Sequence, residues 1–169
     1  MTDAIVPPST SPRAAAAALL RKHWDGRLQV DPSRIAQALG LRVVARGGAD
    51  DPAYAYSGYF NREGADGPAI EYNRSESLVR QRFTVAHELG HYALGHKSSP
   101  RDTPANFNTA VADNAERQAN QFAAELLMPA REVRIVITSG RFADVRELAQ
   151  AFGVSQTAMA WRMKDLGFF

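Results

Sequence analysis

"RFTVAHELGHYALGH", residues 82–96, holds three of the chain's four histidines. His87 and His91 are four residues apart, which on an α-helix sets them about 40° apart around the axis and one turn above the other. Both imidazoles can then reach one ion. Glu88 lies beside His87 on the same side, close enough to touch a water on that ion without ligating it. This division suits hydrolysis: in an H-E-x-x-H arrangement two His bind zinc, the metal lowers the pKa of its water towards about 7, and the Glu takes the proton. Gly90 leaves room where backbone and substrate would crowd the metal. The competing reading is a pair of hydrogen-bonded core histidines. The long helix and its apolar flanks favour the metal.

A catalytic zinc takes three protein ligands and keeps a fourth position open, so another segment must supply the third. Glu116 lies 25 residues after His91, on the next helix, with Asn120 one turn later on the same face. The pair fits a ligand and a group that fixes an imidazole by accepting its other N–H. The same "DNAE" also reads as a capping box, in which Asp113 starts the helix and Glu116 bonds back to its backbone. Glu125 is a rival ligand nearer the end of that helix. His96, just past the Gly95 cap, reads as a helix-end or surface residue.

Composition narrows the alternatives. A chain of 169 residues buries one core, or one core with a small helical appendage. There are no cysteines, which removes disulfides, thiolate zinc sites and cysteine nucleophiles and leaves His, Asp and Glu to hold any metal. The longest apolar run, "AAAAALL" at 14–20, is too short to span a bilayer, and "MTDAIVPPSTSP" lacks the features of a signal peptide. A cytoplasmic protein with no membrane partner is the expectation. A net charge of +2 argues for no particular partner, and nothing in the chain sets the oligomeric state.

The order of elements is α+β. Residues 1–11, with Pro7 and Pro8 among Ser and Thr, read as a flexible tail. "PRAAAAALLRKHW" is a helix by propensity. "DPSRIAQALGL" is a second, with Asp31 as N-cap, Pro32 in the first turn and Gly40 as left-handed C-cap, so that Leu41 folds back. "LRVVAR", "AYSGYFN" and "PAIEYN" read as three strands between residues 41 and 73. A helix from about Ser75 to Leu94 follows, then the loop "KSSPRDTPANFNT", then a helix that Pro129 stops. The core is expected over residues 12–129 and a helical segment over 130–169.

That last segment contains "ELAQAFGVSQTAMAWRMKDLG". Gly153 ends one helix, Val154 is a buried turn residue, Ser155 caps the next, and Met159, Met163 and Leu166 repeat at helical spacing. The form is helix-turn-helix. Residues 141–169 carry four basic and three acidic side chains, a net of +1, which argues against direct DNA binding and for packing or substrate docking.

The strings "RFTVAHELGH" and "ERQANQFAAELLMP" together resemble the ImmA/IrrE family of zinc metallopeptidases over most of the chain from about Ile35 onwards. The resemblance implies a small zincin-like core, a short antiparallel or mixed sheet packed on the motif helix, and one zinc per chain. It further implies His87, His91 and Glu116 as ligands, Glu88 as the catalytic glutamate, and a helix-turn-helix repressor as the protein substrate. The alternative is a transcriptional regulator or repressor-binding protein that uses the C-terminal segment, with metal only as structure. A hydrolase of another bond would need basic residues near the metal, and Arg80 and Arg82 read better as a solvated face or ion-pair partners. A substrate chain is expected to add to a sheet edge formed by "GPAIEYN" or the neighbouring "AYSGYFN", with Ile70 and Tyr72 touching it. Tyr72, Tyr92 and the loop from Lys97 to Ala112 are candidates for stabilising the oxyanion.

Overall fold

Local chemistry sets where each element starts and stops. In the computed structural model, which describes residues 7, 10–96 and 110–169, helix α1 spans Pro12–His23, with the Ser11 hydroxyl accepting from Ala14 N. Helix α2 spans Pro32–Ala38, and the Asp31 carboxylate accepts from Ser33 N and Arg34 N at 3.0 and 3.1 Å. Leu41 N then bonds Ala36 O at 3.0 Å, so Leu41 folds back into the core as its position after Gly40 led one to expect.

Three strands follow: β1 Arg42–Arg46, β2 Gly58–Asn61 and β3 Ala69–Asn73. Their order is β1-β3-β2, with β1 parallel and β2 antiparallel to β3. The strand leading into the motif helix is therefore central. Ile70 pairs with Val43 on one side and Phe60 on the other, and is fully buried. Tyr72 is likewise flanked by Ala45 and Gly58. This corrects the expectation that Ile70 and Tyr72 meet a substrate at an edge, because their backbone groups are already spent on the sheet. The edge falls to β2, the second of the two segments considered.

Helix α3 (Leu78–Ala93) carries the motif and lies across β2 and β3, and antiparallel to it runs α4 (Ala110–Leu127). Helices α5 (Ala130–Thr138), α6 (Val145–Phe152) and α7 (Gln156–Asp165) complete the chain. The β-branched string "AREVRIVIT" of α5 is helical because Val133 and Val136, three apart, bury one face in the core. Between α6 and α7, Gly153 has φ +66°, Val154 is buried, and the Ser155 hydroxyl caps Ala158 N at 3.1 Å. The helix-turn-helix form is present. Its residues Phe152 and Met159 join the same buried cluster as Leu19, Ile70 and Phe122.

One buried ion pair locks α7 onto the core. Arg162, 3% exposed, bonds Met128 O at 3.0 Å and pairs with Glu125 and with Asp165. Glu125 also accepts from Ala130 N at 3.1 Å, so it serves the α4–α5 junction and not a metal. Among the described residues no helix is long and apolar enough to cross a membrane. Removing one partner of such a pair strands a buried charge, which costs about 3–5 kcal/mol. Arg162→Ala should lower the unfolding free energy in urea by about that amount, and Arg162→Met combined with Glu125→Leu should recover most of it.

Candidate metal centre

The turn that ends α3 builds half of the site. Gly95 takes φ +71°, a conformation L side chains rarely adopt, and His96 N bonds back to His91 O at 2.9 Å. That closure folds His96 over His91, with Nδ1 to Nδ1 at 3.0 Å, and Gln118 Oε1 lies 3.0 Å from His96 Nε2. On the other side of the site, His87 Nδ1 lies 2.9 Å from Asn120 Oδ1.

These partners fix the tautomers. An amide oxygen only accepts, so His87 Nδ1 must carry the proton and donate it, leaving Nε2 with its lone pair. By the same logic Gln118 accepts from His96 Nε2–H, His96 Nδ1 accepts from His91 Nδ1–H, and His91 Nε2 is also left bare. Burial lowers the pKa of His96, more than its bond to Gln118 raises it, which favours the neutral form of that ring.

Both bare nitrogens point at one carboxylate. His87 Nε2 lies 3.1 Å from Glu116 Oε2, His91 Nε2 lies 3.1 Å from Glu116 Oε1, and the two nitrogens are 3.0 Å apart. The three residues form a group able to hold a metal. A zinc-sized tetrahedral ion with ligands about 2.0–2.2 Å away sets its donors about 3.3–3.6 Å apart, and slight opening of the observed triangle meets that. Lone pairs facing one another around a carboxylate need a cation between them, so the donor set fits a metal.

Helix α4 begins at Ala110, three residues before Asp113, so Glu116 stands in the second helical turn, beyond the reach of a capping box. His96 stands at the helix end as expected, half-buried, and its Nδ1 lies against His91. Glu88 is 1% exposed and lies on the β2 side of α3. Arg82 bonds Gly153 O at 3.0 Å and Val30 O at 2.7 Å, tying α3 to the α6–α7 turn. Tyr92 packs on Phe60 with ring centroids 5.3 Å apart. Most of the loop named for the oxyanion, residues 97–109, lies outside the described residues.

Two glycines set the spacing. A Cβ on Gly90 would stand 3.0 Å from Phe122 Cδ1, so this glycine brings α4, and with it Glu116, against the histidines; it does not clear space for substrate. A Cβ on Gly58 would overlap the Thr84 methyl and approach Glu88 Cγ to 3.3 Å. Nothing in the local sequence of β2 signalled this, because the constraint comes from the helix lying across it.

Residues 36–164 match the model of the IrrE N-terminal-like domain, a family of peptidases. The metallopeptidase ImmA of Bacillus subtilis is 30% identical over 95 residues, a stretch covering 56% of this chain and 56% of that protein. The alignment thus spans little more than half of that relative.

Substitutions should separate ligands from their supports. His87→Ala, His91→Ala and Glu116→Ala should each abolish tight metal binding in competition with a chromophoric chelator. Asn120→Ala and His96→Ala should each weaken it about 10- to 100-fold, the usual loss when a group that orients a ligand is removed. Wild-type affinity in His96→Ala would show that the relay does not hold His91.

Proposed function

The chain belongs to the family of the IrrE N-terminal-like domain, and from that membership we propose that it is a zinc-dependent endopeptidase with Glu88 as general base. The observation that carries the reading is the convergence of two imidazole lone pairs on the Glu116 carboxylate, with the buried Glu88 beside His87 on the same helix. Zinc bound there would supply a Lewis acid and an acidified water.

The residues of the chain do the rest. His87, His91 and Glu116 would hold the ion, and Asn120 and His96 keep the imidazoles in the tautomer that leaves both Nε2 atoms free to ligate. Glu88, held in a low-dielectric position against β2, accepts a proton from the attacking water and can return it to the leaving amine. Gly58 places β2 against that helix, so a substrate strand added to the β2 edge by backbone hydrogen bonds runs past Glu88. The side chain of Glu116, 36% exposed, forms the outer wall of the site.

We propose a protein substrate, specifically a helix-turn-helix repressor, acted on in the cytoplasm. The regulator alternative finds no support in α7. Its Arg162 is turned into the core, and its Lys164 stands 5.3 Å over the exposed Trp161 ring, leaving few groups to meet phosphates.

Glu88→Gln should retain about one zinc per chain by elemental analysis while hydrolysis of a repressor encoded beside it, read by mass spectrometry of the products, falls by about 10²- to 10⁴-fold. Loss of the metal in that variant would reassign Glu88 as a ligand.

A further inference from the structure

The helix faces that hold the metal group do not end with it. On α3, His91, His87, Phe83 and Val79 follow at four-residue steps, and on the antiparallel α4 Glu116, Asn120 and Ala124 do the same, with Met128 continuing the row just past its end. Rungs pair across the two helices: His91 with Glu116, then His87 with Asn120. The next rungs flank open space. A cavity of about 470 Å³ is lined by Phe83, Asn120, Ala124 and Met128, with Ala158 and Trp161 of α7 as its far wall. Phe83 also borders the His87 ring, at 6.4 Å between centroids. A second cavity of about 400 Å³ continues past Phe83 and Trp161 to Val79. Trp161 stands between them, 65% exposed.

We infer that this groove, resting on the peptidase reading above, is a specificity site for large apolar side chains of the same extended polypeptide whose peptide bond lies at the metal. Three features support that occupant. The groove shares Asn120 with the metal group, so a chain lying across the histidines runs on into it. Its charged lining residues are already paired: Arg13 with Asp165 at 2.6 Å, Arg162 with Asp165 and Glu125, and Arg80 with Glu76 at 3.8 Å. The rest of the lining is uncharged, with Phe83, Ala124, Met128, Ala158 and Trp161 as its apolar surface and Asn120, Gln121 and three hydroxyl residues at its margins. The spacing also fits. Two residues of extended chain span about 6.6 Å and return the side chain to the same face, close to the rise of about 6.0 Å over the four helical residues that separate successive rungs. Side chains two and four residues from the scissile bond therefore face the two cavities.

This assigns Phe83 and Trp161 roles in selecting substrate. It also gives the helix-turn-helix segment a function that needs no nucleic acid: α7 is the outer wall of the groove.

The test uses the full-length, zinc-loaded protein and peptide hydroxamates, which anchor at the metal and so set the register. Two series extend a tetrapeptide from either side of the hydroxamate, with Ala throughout or with Leu at the second and fourth positions, and acetohydroxamate is the common reference. Affinity is read by titration calorimetry, independent of turnover. In one series only, Leu should tighten binding about tenfold at each position. Trp161→Ala, which removes an exposed wall, and Ala124→Phe, which fills the cavity, should each cut the gain to under about threefold, relative to that variant's own affinity for acetohydroxamate. No gain from Leu, or a gain that persists in both variants, overturns the groove as a specificity site while leaving the metal reading intact. Failure of acetohydroxamate to bind the wild-type protein overturns the peptidase reading, and the inference with it.

Discussion

Two imidazole N–H groups, each spent on a neutral acceptor, hold the site together. Because His87 donates to Asn120 and His91 donates to His96, both Nε2 lone pairs are left facing the Glu116 carboxylate. If either donor bond is lost the ring can flip or exchange tautomers, and the donor triangle is no longer defined. The positions of α3, α4 and the Gly95 turn follow from keeping those bonds within about 3 Å, the length at which a hydrogen bond still directs a ring.

Packing supplies that precision through absences of side chain. Gly90 lets Phe122 of α4 sit directly on α3, and Gly58 lets α3 sit directly on β2. Interiors are close-packed, so a single methyl at either glycine would displace a helix that carries members of the candidate metal group. The C-terminal helices contribute in the same way: Arg82 ties α3 to the α6–α7 turn, and Arg162 ties α7 to the end of α4. The metal group thus rests on contacts from nearly the whole length of the described chain.

How much of this could be read beforehand depended on whether the cause was local. The His87–His91 spacing, the Asp31 and Ser155 caps and the Gly40, Gly95 and Gly153 stops act within one helical turn, and they stand in the structure as the sequence suggested. Glu116 and Asn120 share one helix face and could be paired for that reason. His96 stands at the helix end as read, but its contact with His91 arises from the back-folding at Gly95 and cannot be told from sequence spacing. Ile70 and Tyr72 were misassigned for a topological reason: consecutive strands suggested an edge, whereas the parallel pairing of β1 with β3 put that strand in the middle. Helix α5 lies within the helical segment expected over 130–169, although its β-branched residues favour strand locally and its burial against the core decides for helix.

Zinc K-edge X-ray absorption of the metal-loaded protein reads the coordination itself. The expected first shell is two imidazole nitrogens and a carboxylate oxygen with one further light ligand, all about 2.0–2.2 Å from the metal, and the spectrum should keep two imidazoles in His96→Ala. A third imidazole in the wild-type spectrum that disappears in His96→Ala would contradict it, making His96 a ligand and leaving Glu116 outside the shell.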